Sequence, residues 1–102
     1  MHSLPKDATL VELRPDLLAF ETRACLLPGT QLSLTLVMEG RPLPLEVVVG
    51  QCLVTDKDRR GYKYQAQVFL AQLPEPDRQL ITLFISKGRG APVLESRRTA
   101  AR

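Results

Sequence analysis

From residue 8 to residue 69, apolar and polar positions alternate in short runs, each closed by proline, glycine or a charged cluster. Over residues 8–14, Leu10, Glu12 and Arg14 fall on one side and Thr9, Val11 and Leu13 on the other. That period of two predicts a strand. Pro15-Asp16 is turn material, and residues 17–22 read as a second short strand. Pro28-Gly29 suits a type II turn, because glycine accepts a positive φ at the second central position. The clearest pattern follows at 31–38: Leu32, Leu34, Leu36 and Met38 point one way, and Gln31, Ser33 and Thr35 the other. This is the signature of a strand with one buried face.

Glu39-Gly40-Arg41-Pro42 predicts a turn between strands, and 45–54 a long β-branched strand interrupted by Gly50. A glycine inside a strand marks a bulge or bend, a device by which sheets curl into barrels. Asp56-Lys57-Asp58-Arg59-Arg60-Gly61 reads as a solvated hairpin tip before a further strand at 62–69. Tyr62 and Tyr64 share a face of that strand, and such pairs usually pack within the sheet or beneath a helix. Phe20, Phe69 and Phe84 are assigned to the core.

The period then changes. Leu80/Phe84 and Ile81/Ile85 stand four apart, which predicts a helix over 75–86 that buries Leu80 and Phe84. Pro74 and Pro76 suit its first turn, Glu75 and Asp77 complement its positive pole, and Lys87-Gly88 is a stop signal. Nothing periodic remains beyond Pro92, so the expected organisation is an N-terminal extension at 1–7, a folded domain at 8–86 and a flexible basic tail at 87–102. Successive hairpins followed by one helix point to a mainly β fold, a small antiparallel barrel with a C-terminal α-helix over its open end.

Composition narrows the chemistry more than the fold. The 102 residues are 44% hydrophobic and 25% charged, sufficient for one core without disulfide or metal. No apolar run approaches the ~20 residues of a membrane span. Residues 1–7 show no basic segment leading into an apolar stretch, so a cytoplasmic location is expected, with Cys25 and Cys52 as free thiols. His2 is the single histidine and lies at an end expected to be frayed, which removes His-based triads and His-rich metal sites. The carboxylate pairs Glu12/Asp16, Asp56/Asp58 and Glu75/Asp77 each flank a turn, a loop tip or a helix start, where structural roles explain them. No phosphate-cradling loop or nucleophile elbow is present, so the chain is not expected to be an enzyme and no cofactor or metal is implied. The net charge of +3 divides unevenly: residues 87–102 carry five basic groups against one acid, and the other 86 residues nine against ten. A cationic tail on a near-neutral body argues against a duplex-binding face.

Several of these pieces together resemble the PilZ domain. They are Leu27-Pro28-Gly29-Thr30-Gln31-Leu32-Ser33-Leu34, the Val-rich run at 45–54, Gly61-Tyr62-Lys63-Tyr64-Gln65-Ala66-Gln67-Val68-Phe69, and the helix start at Leu73-Pro74-Glu75-Pro76-Asp77. The resemblance covers about residues 8–86. It implies a six-stranded antiparallel barrel with a C-terminal helix, and a role in bacterial cyclic di-GMP signalling. The family holds its ligand with an arginine pair spaced RxxxR before the barrel and with an Asp or Asn, a Ser and a Gly on the opening strands. This chain departs from both. Glu12 stands for the acid, Arg14 for the serine and Leu17 for the glycine, and no arginine precedes residue 8. The arginine spacing occurs instead at the far end, where Arg98 and Arg102 follow Arg97. The candidate ligand residues are therefore Glu12, Arg14, Arg97, Arg98 and Arg102, with cyclic di-GMP the implied ligand. The resemblance implies a receptor or adaptor with degenerate ligand motifs that acts through contacts with a protein partner. The alternatives are a ligand-independent structural or oligomerisation barrel, and a small nucleic-acid binder of similar shape.

Overall fold

The computed structural model describes residues 2–88 and 90–96. Its elements run β1 (His2–Ser3), β2 (Thr9–Arg14), β3 (Leu17–Thr22), β4 (Gln31–Met38), β5 (Arg41–Asp58), β6 (Gly61–Phe69), α1 (Glu75–Lys87) and β7 (Val93–Ser96). They form one strongly bent sheet in the order β1-β4-β5-β6-β3-β2, with β7 also on β4. The mainly β class and the single helix agree with the sequence. The six-stranded antiparallel barrel is corrected: among the described residues there are seven strands, β1 pairs parallel to β4, and no ladder joins β2 to the opposite edge. A bulge between Leu10 and Glu12 breaks the regular edge of β2 and leaves Val11 half exposed. Bulges at a sheet edge often accompany the end of pairing. Leu10 and Leu13 instead face Ile85 and Pro92 across an open seam.

The turns follow local stereochemistry. Thr30 N–H donates to the Leu27 carbonyl at 3.1 Å across Pro28-Gly29, and Gly29 takes φ 91°. β5 is longer than its pattern suggests and reaches Asp58, so only Arg59-Arg60 is left as the turn. Its first half pairs with β4 and its second half with β6, which exchanges its hydrogen-bonded edge at Gly50. Pro42 and Pro44 are tolerated because residues 41–48 have a strand on one side alone. The expected bulge is present between Val49 and Gln51. Gly50 serves a second purpose: a Cβ there would stand 2.1 Å from Cε2 of Phe69. Phe69 is thus corrected from core to surface. It is about half exposed and lies across the bare backbone of the bulge. Gly50→Ala is expected to cost about 1–3 kcal/mol in urea denaturation by expelling that ring. In a Phe69→Ala background the cost should fall below about 0.5 kcal/mol, and equal costs in both backgrounds would show that the ring is not the obstacle.

The core gathers Leu18 and Phe20 of β3, Leu32, Leu34 and Leu36 of β4, Leu45, Val47 and Val49 of β5, Ala66 and Val68 of β6, and Ile81 and Phe84 of α1. The period-two reading of β4 holds for its leucines, yet Ser33 and Thr35 on the opposite face are buried too. Their short side chains lie beside longer cross-strand neighbours, Glu46 next to Ser33 and Pro44 and Glu95 next to Thr35. Ala19 is covered in the same way between Glu12 and Gln67.

The helix starts where expected and runs one residue further, to Lys87. Asp77 and Arg78 N–H groups donate to the Pro74 carbonyl, and Gly88 closes the other end at φ 63°, in the left-handed region. The buried arc is Ile81, Phe84 and part of Ile85, so the expectation for Leu80 is corrected: it is 47% exposed. Ile81, Phe84 and Ile85 lie within one narrow arc at 100° per residue, and Leu80 falls outside it.

Two pairings have no signal in the sequence. His2–Ser3 run beside Leu32 and Ser33, which draws Leu4 into the core, so the N-terminal end is paired rather than frayed. Val93–Ser96 pair with residues 34–37 of β4 and bury Leu94.

Candidate functional site

The opening hairpin places Glu12 and Arg14 at the end of β2 beside the Pro15-Asp16 turn. Arg14 Nε lies 3.3 Å from a Glu12 carboxylate oxygen and 3.9 Å from one of Asp16, with all three side chains well exposed. Exposed pairs of this kind add little stability. Their local balance is one cation against two acids, which repels a phosphate rather than attracting it. Glu12 lines the seam between β2 and the end of α1, and Arg14 stands outside it. Leu17 is buried and keeps an ordinary negative φ, paired with Arg14 and Phe69. The backbone freedom that a glycine provides is not used at this position. Arg97, Arg98 and Arg102 lie outside the described residues, so the structure brings together Glu12 and Arg14 alone of the five candidate residues.

A polar cluster joins the far end of the β5–β6 hairpin to the chain leaving β3. Arg23 donates twice to Asp58, at 2.9 and 2.6 Å, a two-pronged pair between residues 35 apart in sequence. Asp7 accepts from the Thr22 hydroxyl at 2.7 Å and from the Arg23 backbone N–H at 2.8 Å. The Arg23 guanidinium, helped by the Arg60 N–H, holds the Asp58 carboxyl at about 2. The Thr22 hydroxyl, with the Arg23 N–H, lowers that of Asp7. For a carboxyl depressed on folding, the stabilisation is complete above the unfolded value of 3.8 and is lost as pH falls through about 2. Asp58→Asn is therefore expected to flatten the acid limb of stability between those two values. An unchanged slope in acid titration of the variant would show that the pair does not persist in solution. Tyr62 and Tyr64 sit on this same hairpin, 6.3 Å apart and tilted, with Lys57 5.3 Å from the Tyr62 ring. The two rings pack on each other along the strand.

The third feature is an apolar groove that the sequence reading missed. It runs between α1 and the β4–β5 hairpin, with Met38, Pro42, Leu43 and Phe84 inside and Leu80 and Leu83 along the helix margin. Leu80 and Leu83 are 47% and 52% exposed, large values for leucines three residues apart on one helix. Glu39, Arg41 and Lys87 stand at its rim. The signal was available in the sequence: Pro76, Leu80, Leu83 and Lys87 trace a second stripe beside the buried arc. The i,i+4 pairing of Leu80 with Phe84 assigns Leu80 to the wrong stripe. The groove's volume of about 200 Å³ is below the range of enclosed small-molecule sites.

No family model, no curated protein and no solved structure matches this chain. The family reading accordingly rests on the residue pattern and on the order of the elements.

Proposed function

We propose that this chain is a non-enzymatic, PilZ-like module of cyclic di-GMP signalling that works through protein contacts rather than through a formed nucleotide site of its own. The observation that carries the second half of this reading is the exposed Leu80–Leu83 groove, set against an opening strand whose one arginine is already paired with Glu12 and Asp16. Hairpins followed by a single helix support the family reading at the level of element order. A cytoplasmic adaptor of this kind meets cyclic di-GMP through its basic tail, with Arg97, Arg98 and Arg102 supplying cations and no clamp from the opening strand.

The test is a calorimetric titration of the full chain and of an Arg98→Ala/Arg102→Ala variant with cyclic di-GMP and with cyclic di-AMP, at low and moderate salt. Counter-charge attraction falls steeply with salt and ignores the base, whereas an arginine reading the guanine edge discriminates. The expected result is weak binding that salt abolishes, with less than about tenfold preference between the two ligands. Guanine-selective binding that survives moderate salt in the full chain would overturn the adaptor reading and make the domain a receptor. If such binding also survived in the variant, Arg14 and Arg23 would be the groups to examine. The ligand-independent alternative is favoured by the same groove, since an exposed apolar stripe on a small domain is an association surface.

A further inference from the structure

We propose that the projecting end of the β5–β6 hairpin is a docking surface for single-stranded nucleic acid, with Tyr62 as the ring that stacks on a base and Lys57 and Arg59 as the phosphate contacts. The inference goes beyond the reading of the domain as a protein-contact module and does not depend on it. The β4 ladder leaves β5 after Val48, and β3 follows β6 only as far as Tyr64. Residues 55–63 therefore form a two-stranded ribbon with no third strand on either side among the described residues. Lys57, Arg59, Arg60 and Tyr62 are all exposed on it.

The register sorts the ribbon's charges by face. Residues opposite one another in an antiparallel ladder share a face, and successive residues alternate. One face carries Lys63 opposite Asp56, with Lys63 3.4 Å from Glu21, and the Asp58 carboxylate is taken by Arg23. Arg60 leans to that side as well, beside Asp7 and Glu21. Cations and acids are mixed there and offer an anion little. The other face carries Val54 opposite Tyr64 and Lys57 opposite Tyr62, with no acid among the four. Arg59 stands at the turn next to it, and neither Arg59 nor Lys57 has a salt bridge among the described residues.

That second face has the two components a single strand needs, a flat ring and cations beside it. Tyr62 is 47% exposed, with Tyr64 6.3 Å away to wall the site on the barrel side. Lys57 Nζ lies 5.3 Å from the centre of the Tyr62 ring, so a base on that ring brings its phosphate within reach of the ammonium. A duplex fits less well: its bases are stacked on one another and hide their faces from a side ring. An acidic peptide would satisfy Lys57 and Arg59 but leaves the ring without a stacking partner. The uneven charge of the chain agrees with this choice, since residues 87–102 add five basic groups against one acid for long-range attraction of a polyanion.

The experiment is fluorescence anisotropy of a labelled oligothymidylate of about 12 nucleotides, titrated with the full chain at several salt concentrations. Competitors are a duplex of equal length and polyglutamate, and thermal melts run in parallel. Tyr62→Leu is expected to weaken binding about tenfold with the salt dependence unchanged, and Tyr62→Phe to keep most of the affinity. Lys57→Gln and Arg59→Gln should each flatten the plot of log affinity against log salt by about 0.7. The same changes are expected when Arg97, Arg98 and Arg102 are all glutamine, on a weaker baseline. Should Tyr62→Leu melt early, the two charge variants still decide, because both side chains are exposed and neither is salt-bridged. Absence of oligothymidylate binding at low salt overturns the proposal. So does binding that ignores all three positions, that the tail substitutions alone abolish, or that duplex or polyglutamate matches in affinity. None of these results bears on the cyclic di-GMP titration, so the two readings stand or fall separately.

Discussion

Replacing Phe20 with alanine is expected to lower the stability of this domain by about 3–5 kcal/mol, the largest effect of any single substitution considered. Phe20 has no exposed surface and sits at the centre of β3, opposite Leu10 of β2 and Ala66 of β6. Its cross-strand neighbour Ala66 is too short to fill the space left behind. The cavity would open among Leu18, Val68 and the β4 leucines, each held in place by its own ladder. A domain of this size has roughly 5–15 kcal/mol of stability in total, so the variant should lose a large fraction of it. Chemical denaturation of the two proteins checks the value, and a loss under about 1 kcal/mol would mean that β3 presents its other face to the core. Leu34→Ala belongs to the same class and is expected to cost about 2–5 kcal/mol, because Leu34 is fully buried between Leu45 and β7.

The second large effect concerns the C-terminal region. A chain ending at Lys87 is expected to be less stable than one ending at Ser96 by about 2–5 kcal/mol. The sequence beyond Pro92 has no periodicity, and cutting at Lys87 would look harmless on that basis. The structure argues otherwise. Leu94 is buried in the core, and β7 covers the β4 edge from Leu34 to Val37. Removing it exposes that edge to solvent and to pairing with other chains. The same cut deletes Gly88, whose left-handed conformation and N–H bond to Ile85 close the helix. Differential scanning calorimetry of the two truncations separates the cases. Equal melting of both would show that β7 adds nothing, and the arginine tail could then be removed at either point. Until then, substitution of Arg98 and Arg102 tests the tail's chemistry without disturbing β7.

The candidate site was legible in uneven measure. Glu12 and Arg14 were identified from their place in a motif, and the structure finds them adjacent, yet tied to each other and to Asp16 rather than open to a ligand. A motif position says which side chain is present and nothing of what balances its charge. The Leu80–Leu83 stripe was visible as spacing but not as exposure. Both helix stripes are apolar, and periodicity cannot say which of two such stripes the sheet will cover.

The sequence by itself determined what depends on a few neighbouring residues. The Pro28-Gly29 turn, the helix from Glu75 to its stop at Gly88, the bulge at Gly50 and the inward leucines of β4 all follow from local stereochemistry and from side-chain period. Tertiary structure alone decided what depends on distant partners. Nothing local tells His2–Ser3 or Val93–Ser96 to seek the same strand, because an edge is an unfilled row of N–H and carbonyl groups that any extended segment can satisfy. Nothing local tells Phe69 to leave the core for the bare backbone of Gly50. Arg23 and Asp58 meet across 35 residues of chain because the second half of β5 follows β6 past the end of β3. Whether a face is buried depends on what covers it, and the covering element is chosen by the whole sheet.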